Sequence, residues 1–270
     1  MSFSARSTRA EFPVCSNSLV TNPAILSSDS RYFVRLANGP REVAEALRLR
    51  HEVFHVELKN KSSNDSKLEY DEFDLRCRHL IVIERSTNRT VGTYRLNEIA
   101  SGEKLSQLYS HGEFTIEDLP VEIWQQGIEI GRACVAREHR GTRALFLLWK
   151  ALARHLADRN KRYCFGCCSI FTRDLSAGAL AYRQLAHAGH VHDTVKLLPR
   201  HDAVDLSIKS SNSTTIAIPS LFDLYLRLGA KVCSPPMFDA DFGTMDFFVV
   251  LDTQNISERY RKIFFAADQT

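Results

Sequence analysis

Gly127-Ile-Glu-Ile-Gly-Arg-Ala-Cys-Val-Ala-Arg-Glu-His-Arg-Gly-Thr-Arg-Ala144 is the stretch whose reading decides the fold. Its first part, Ile128 to Ala136, is short, apolar and β-compatible, and carries one carboxylate, Glu129, and one cation, Arg132. A turn follows with Arg137, Arg140 and Arg143 around Gly141, and then Leu145 to Leu156 places apolar residues at helical spacing. Strand, basic turn and helix together offer an anion the outward N–H groups and positive dipole end of a helix N-terminus. On an ideal strand Glu129 and Arg132 point to opposite faces. A β-bulge at Gly131 would turn both toward one cleft and free backbone N–H groups that could bind an oxyanion. A plain strand would leave only a surface salt bridge.

Upstream, Arg31 to Leu36 reads as a first strand, and Pro40 stands at a tolerated first-turn position of a helix running from Arg41 to about Leu58. Val43, Leu47, Phe54 and Leu58 mark the apolar stripe of that helix, and Arg50 falls on it. A buried arginine is almost never unpaired. Carboxylates are therefore expected to meet Arg50, and Glu69-Tyr-Asp-Glu-Phe-Asp74, beyond a polar loop at 60–66, supplies the candidates. His79 to Glu84 and Thr90 to Asn97 read as a hairpin, in which Arg95 either lines a cavity or is an edge cation.

Downstream of a short helix near 105–109 and the opening unit, Lys161 to Phe171 forms a strand, with Gly166 marking a close approach. A helix at Asp174 to His187 precedes an aperiodic 188–215 stretch that reads as a surface insertion. Pro219 opens a short helix closed by Gly229, two strands follow, and Ile256 to Phe265 is an amphipathic helix carrying Arg259, Arg261 and Lys262. Residues 1–30 read as a flexible leader, and 31–270 as one mixed α/β domain.

The chain has 270 residues and a net charge of +3, too small to argue for nucleic acid. Cations dominate locally from Arg132 to Arg162, a surface suited to an acidic partner or a phosphate. Seven cysteines without a repeating framework fit a reducing compartment, hence a cytoplasmic location. Cys164, Cys167 and Cys168 lack a second pair at ligand spacing and read as core thiols rather than a metal site. No apolar run approaches the ~20 residues that span a bilayer.

Glu129-Ile-Gly-Arg132-x-x-Val135, Arg50 within Leu-Arg-His-Glu-Val-Phe54, Asp71-x-Phe-Asp74 and Gly92-Thr-Tyr-Arg95-Leu96 together resemble the acyl-homoserine-lactone (autoinducer) synthases. The resemblance is closer to the related GNAT-like bacterial N-acyltransferases that make ornithine-lipid precursors and N-acyl amino acids. Supporting runs are Cys77-x-His79, Leu148-Trp149, Phe165-Gly-Cys-Cys-Ser169, Pro219 to Ala230 and Asp239-x-Asp-Phe.

The resemblance implies a GNAT-like domain whose central sheet is splayed open between the Glu129 and Cys164 strands. It implies an acyl thioester on acyl carrier protein as donor, with no permanently bound cofactor, and amide formation on the α-amine of an amino acid, ornithine first. In this reading Glu129 accepts the amine proton. Arg50, Asp71, Asp74, Arg95 and Arg132 hold the acceptor. Val135, Arg137, Arg140, Arg143 and Ser169 contact the phosphopantetheine arm, and Phe165, Phe171, Phe247 and Phe248 wall an acyl tunnel. Acetyl-CoA-dependent relatives carry Q/R-x-x-G-x-G/A at this turn. Here Arg137 to Arg143 places arginines where those glycines belong, favouring one carrier-borne phosphate over a pyrophosphate. A hydrophobic product and the basic last helix suggest peripheral contact with the inner membrane. The alternatives are acylation of glycine or tyrosine, an autoinducer synthase using S-adenosylmethionine, and a non-catalytic carrier-protein or lipid-binding module.

Overall fold

The computed structural model of the chain describes residues 23–58, 67–100, 102–209 and 215–265. Most of the leader and the expected 60–66 loop lie outside the described residues. In chain order the strands are β1 (Ser27–Ser28), β2 (Tyr32–Leu36), β3 (Arg78–Glu84), β4 (Arg89–Asn97), β5 (Gly127–Val135), β6 (Tyr163–Ile170), β7 (Lys231–Val232), β8 (Met237–Asp239) and β9 (Thr244–Asp252). The helices are α1 (Pro40–His51), α2 (Val121–Gln125), α3 (Ala144–Asp158), α4 (Leu175–His187), α5 (Ser220–Arg227) and α6 (Glu258–Phe264).

The strands form one sheet in the order β1-β2-β3-β4-β5-β6-β9-β7, with β8 also on β9. All its pairings are antiparallel except β5 with β6. Period-two alternation divides the core between the two faces of the sheet. Along β9, Phe247, Val249 and Leu251 pack with α3 and α5, whereas Phe248 and Val250 meet Phe114, Ile116 and Phe165 on the other side.

Most elements fall where the sequence pattern places them, with three departures. Ser27-Ser28 pairs with β2, and the Ser27 hydroxyl donates to the Leu147 carbonyl at 2.7 Å, so the ordered domain begins before residue 31. The first helix does not run uniformly to Leu58. It widens into a π-turn at Glu52–Glu57, where the Leu58 N–H reaches the Val53 carbonyl at 3.2 Å. The expected surface insertion after α4 is tied down: Val195, Leu197 and Val204 are buried, and bridges join Phe114 to Pro199 and Ala203 to Met237. No helix among the described residues is long and apolar enough to cross a membrane.

Candidate active site

Parallel β5 and β6 pair only from Gly127–Tyr163 to Glu129–Phe165 and then diverge. Gly166 stands at the divergence, where a β-carbon would lie 2.3 Å from the Ile130 carbonyl oxygen. Only glycine admits that approach. The bulge also exists, one residue beyond its expected place. Thr93 pairs with Cys134 and Arg95 with Gly131, so Arg132 and Ala133 together oppose Tyr94. Arg132 takes the left-handed conformation, φ 52°, which costs a non-glycine residue about 1–2 kcal/mol.

The divergence opens a cavity of about 820 Å³, within the range that holds small ligands. Glu129, Arg95, Arg132, Val135, Arg140 and Ser169 all reach its wall. Glu129 is buried and fully engaged. It accepts from the Tyr109 N–H (2.9 Å), the Ser110 N–H (2.8 Å), the Ser110 hydroxyl (2.5 Å) and the Asn97 amide (3.2 Å). These fill the roughly four acceptor positions of a carboxylate. Nothing in the spacing of the sequence marked Tyr109 and Ser110 as partners; they lie in a single 3₁₀ turn, Tyr109–Gly112, brought over the sheet.

Arg50 finds the carboxylates it requires. It is wholly buried, donates through Nε to Glu69, and grips Asp74 with both terminal nitrogens at 2.6 and 3.1 Å. Arg95 donates to Asp71 at 2.6 Å, and Arg132 to Glu69 at 3.0 Å and Asp71 at 3.3 Å. Three guanidiniums and three carboxylates thus form one neutral network. Burial alone would raise the Asp74 and Glu69 carboxyls. The charge of Arg50, with Arg95 beside Asp74 and Arg132 beside Glu69, holds both below the usual carboxylate range.

The acidic run has a second role as a capping box. The Asp71 carboxylate accepts from the Phe73 N–H at 3.0 Å, and Asp74 from the Asp71 N–H at 2.9 Å. Arg50, Asp71 and Asp74 lie behind the cavity wall, which Arg95 and Arg132 reach. The choice left open for Arg95 resolves toward the cavity, since β4 is an interior strand and Arg95 is 4 % exposed. Tyr109 is the hub: its ring lies 4.6 Å from the Arg132 guanidinium and 5.5 Å from that of Arg95.

The basic turn is more tied than its composition suggests. Arg140 donates to the Val135 carbonyl at 3.0 Å and pairs with Glu57, and Arg143 pairs with Asp29 at 3.3 Å. Arg154, Arg159 and Arg162 meet Asp158, Glu98 and Asp252, so much of the expected basic surface is internally neutralised. Arg137 is exposed on the 3₁₀ turn preceding Gly141, and Arg143 is the N-cap of α3 without a side-chain cap bond.

Two of the four phenylalanines expected in the tunnel, Phe165 and Phe171, line the cavity. Phe247 and Phe248 do not; they are fully buried on opposite faces of β9. Their place is taken by Phe54 from the π-turn and by Leu221, Phe222 and Tyr225 from α5. Cys164 and Cys168 are buried on β6, and burial pushes the Cys164 thiol up to about 12.

An open sheet parted between parallel strands, with a carboxylate at the parting and an apolar wall beyond it, defines a GNAT-fold acyltransferase. A sequence model of the acetyltransferase (GNAT) domain matches residues 49–150. In structure the chain resembles the AHL synthase LasI, with a TM-score of 0.50 at 12% identity over 90% of this chain and 100% of that one. A Brucella abortus protein named L-ornithine N(alpha)-acyltransferase is 33% identical over 84% of this chain and 86% of its own. A Rhodobacter capsulatus protein of the same name is 30% identical over 86% of this chain and 94% of its own. The chain belongs to the L-ornithine Nα-acyltransferase family.

Proposed function

We propose that this protein transfers a long-chain acyl group, 3-hydroxylated as the family resemblance suggests, from acyl carrier protein to the α-amine of ornithine. The observation that carries this reading is the cavity at the β5–β6 parting, where a polar end at Glu129 and Arg132 adjoins an apolar wall at Phe54, Leu221 and Phe222. The names of the relatives supply the acceptor.

In this mechanism the amine lone pair attacks the thioester carbon, the C–N bond forms, and the C–S bond breaks to release the phosphopantetheine thiolate. Amide N–H groups of β5 beyond Glu129, which have no pairing with β6, bind the oxyanion. Glu129 takes the amine proton. Glu129 and Asn97 both reach the cavity, so the amine takes the place of the Asn97 amide, the longest of the four contacts at 3.2 Å. The proton finally neutralises the departing thiolate.

Arg95 and Arg132 face the acceptor's carboxylate, while Arg50, Asp71 and Asp74 hold them in position. Val135 and Ser169 flank the arm, and Arg137, Arg140 and Arg143 receive its phosphate or the acidic carrier protein. The exposed Arg259, Arg261 and Lys262 of α6 suit peripheral contact with an anionic membrane surface.

The test is to incubate the protein and ornithine with 3-hydroxyacyl carrier protein or with the matching acyl-CoA, following thiol release and acyl-ornithine mass. Amide is expected from the carrier-borne donor in preference to the CoA ester. Glu129→Gln, with its fold verified by circular dichroism, should lose roughly 10²–10⁴ in turnover. An unchanged rate removes Glu129 from the role, and no amide from either donor overturns the function.

A further inference from the structure

Three carboxylates outside this mechanism cluster beside the same cavity. Glu113 ends the Tyr109–Gly112 turn, Asp239 closes β8 and Asp246 lies on β9; a carboxylate oxygen from each lies within 4.8 Å of the others. Asp239 and Asp246 line the cavity. Asp246 is 5 % exposed; Ser169 bonds to its side chain, but its Oδ1 has no hydrogen-bond partner. A buried carboxylate oxygen left unpaired is costly unless something donates to it. Burial and the nearby Asp246 push the Glu113 carboxyl up to about 7, and burial and Asp239 push Asp246 up to about 6. Arg132 is the cation acting on Asp246, yet its hydrogen bonds go to Glu69 and Asp71. The trio therefore lacks a counter-charge of its own.

What would supply that charge is decided by connectivity. The Tyr109 N–H is on Glu129, and its hydroxyl is hydrogen-bonded to Glu113. Tyr109, from its backbone N–H to its ring hydroxyl, therefore spans from the proposed reaction centre to the trio, a reach of the same order as the four-carbon path between the two amines of ornithine. An ammonium carries three N–H donors and can meet three carboxylates. A hard cation such as Ca²⁺ takes oxygen ligands only. Here the Cys167 thiol and the Tyr109 hydroxyl both point their protons at Glu113, and they suit a pocket of neutral donors around an ammonium better than an ion shell.

We propose that Glu113, Asp239 and Asp246 form the subsite for the side-chain ammonium of the acceptor, so that a diamino acid is selected and its α-amine alone is acylated. The inference rests on the reading of the chain as an ornithine acyltransferase and deepens it. Held by carboxylates, the distal nitrogen stays protonated and has no lone pair to attack with. The α-amine, released at Glu129, does.

The experiment is a one-pot competition between ornithine and norvaline, its analogue lacking the distal amine, with 3-hydroxyacyl carrier protein as donor and products resolved by mass. A product ratio measured in one preparation is independent of how much protein is folded. The wild-type protein should favour ornithine by at least about 100-fold. Asp246→Asn and Glu113→Gln should each reduce that ratio by at least about tenfold. Asp239→Asn, at a half-buried position, provides the same readout if the buried variants do not fold. Equal acylation of both amines by the wild type overturns the subsite and leaves the ornithine reading standing. A ratio unmoved in all three variants overturns it too, as does activity lost to EDTA and restored by a divalent cation. Absence of any acyl-ornithine overturns the functional reading itself.

Discussion

Replacing Arg50 by Met keeps most of the side-chain volume and removes the charge at the centre of the ion network. Arg50 is wholly buried and makes one hydrogen bond to Glu69 and two to Asp74. Removing one partner of a buried ion pair costs about 3–5 kcal/mol, because the other charge is left uncompensated. The low end applies here. Glu69 keeps Arg132 at 3.0 Å, and Asp74 keeps Arg95 at 3.3 Å and the Asp71 N–H at 2.9 Å. A loss of about 3 kcal/mol is expected, read as a fall in melting temperature of roughly 6–12 °C for a domain of this size. The deficit carries a pH signature. In the wild type the Asp74 and Glu69 carboxyls lie below their unfolded values, a stabilisation present above the unfolded pKa and lost as pH falls. In the variant both rise, so its folded state takes up protons first and the gap to wild type should narrow below about pH 5. Urea denaturation at neutral pH and at about pH 4.5 measures both effects. A deficit under about 1 kcal/mol at neutral pH, the level of an exposed pair, would refute the reasoning. So would a gap that widens on acidification.

Gly166→Ala places a β-carbon against the Ile130 carbonyl, a backbone atom that cannot turn aside. It should cost about 1–3 kcal/mol in urea denaturation and lower acyl transfer; wild-type values for both would show that the strands part without needing glycine. Glu113 titrates at about 7 in the fold, above its unfolded value, so it subtracts stability as pH rises from about 4.5 to 7. Glu113→Gln should therefore gain on the wild type across that window, by roughly 2–3 kcal/mol at its upper end, and a melting difference flat in pH would contradict this. The Cys164 thiol, buried and pushed up to about 12, should resist maleimide in the native protein and react once urea unfolds it. Equal labelling in both states, read by peptide mass, would place it at the surface.

The local order of the chain is written in its residues. Apolar spacing after Gly141 gives α3, and the short β-compatible run before it gives β5. An arginine on the buried stripe of α1 demands carboxylates, because a lone charge cannot remain in an apolar core, and the acidic run downstream provides them. Such inferences hold because helical and strand periodicity, and the cost of an unpaired charge, act over a few residues or through one compulsory partner.

Other features depend on distances the sequence does not contain. Phe247 and Phe248 are adjacent and chemically identical, yet only the sheet's neighbours decide that both face core rather than cavity. Arg140 and Arg143 read as free cations until Glu57 and Asp29 are brought beside them. Tyr109 and Ser110 gain their roles because an irregular turn, with no periodic signal, is laid over Glu129. Glu113, Asp239 and Asp246 come from separate elements and carry no common motif, so only the closing of β9 beside β6 makes them a cluster. Local pattern and motif thus carried the fold class and the need of Arg50 for acidic partners, while the bulge on the Glu129 strand was open until pairing with β4 showed it at Arg132 and Ala133. The tertiary structure decided which charges remain without a partner, because that depends on every element packed around them.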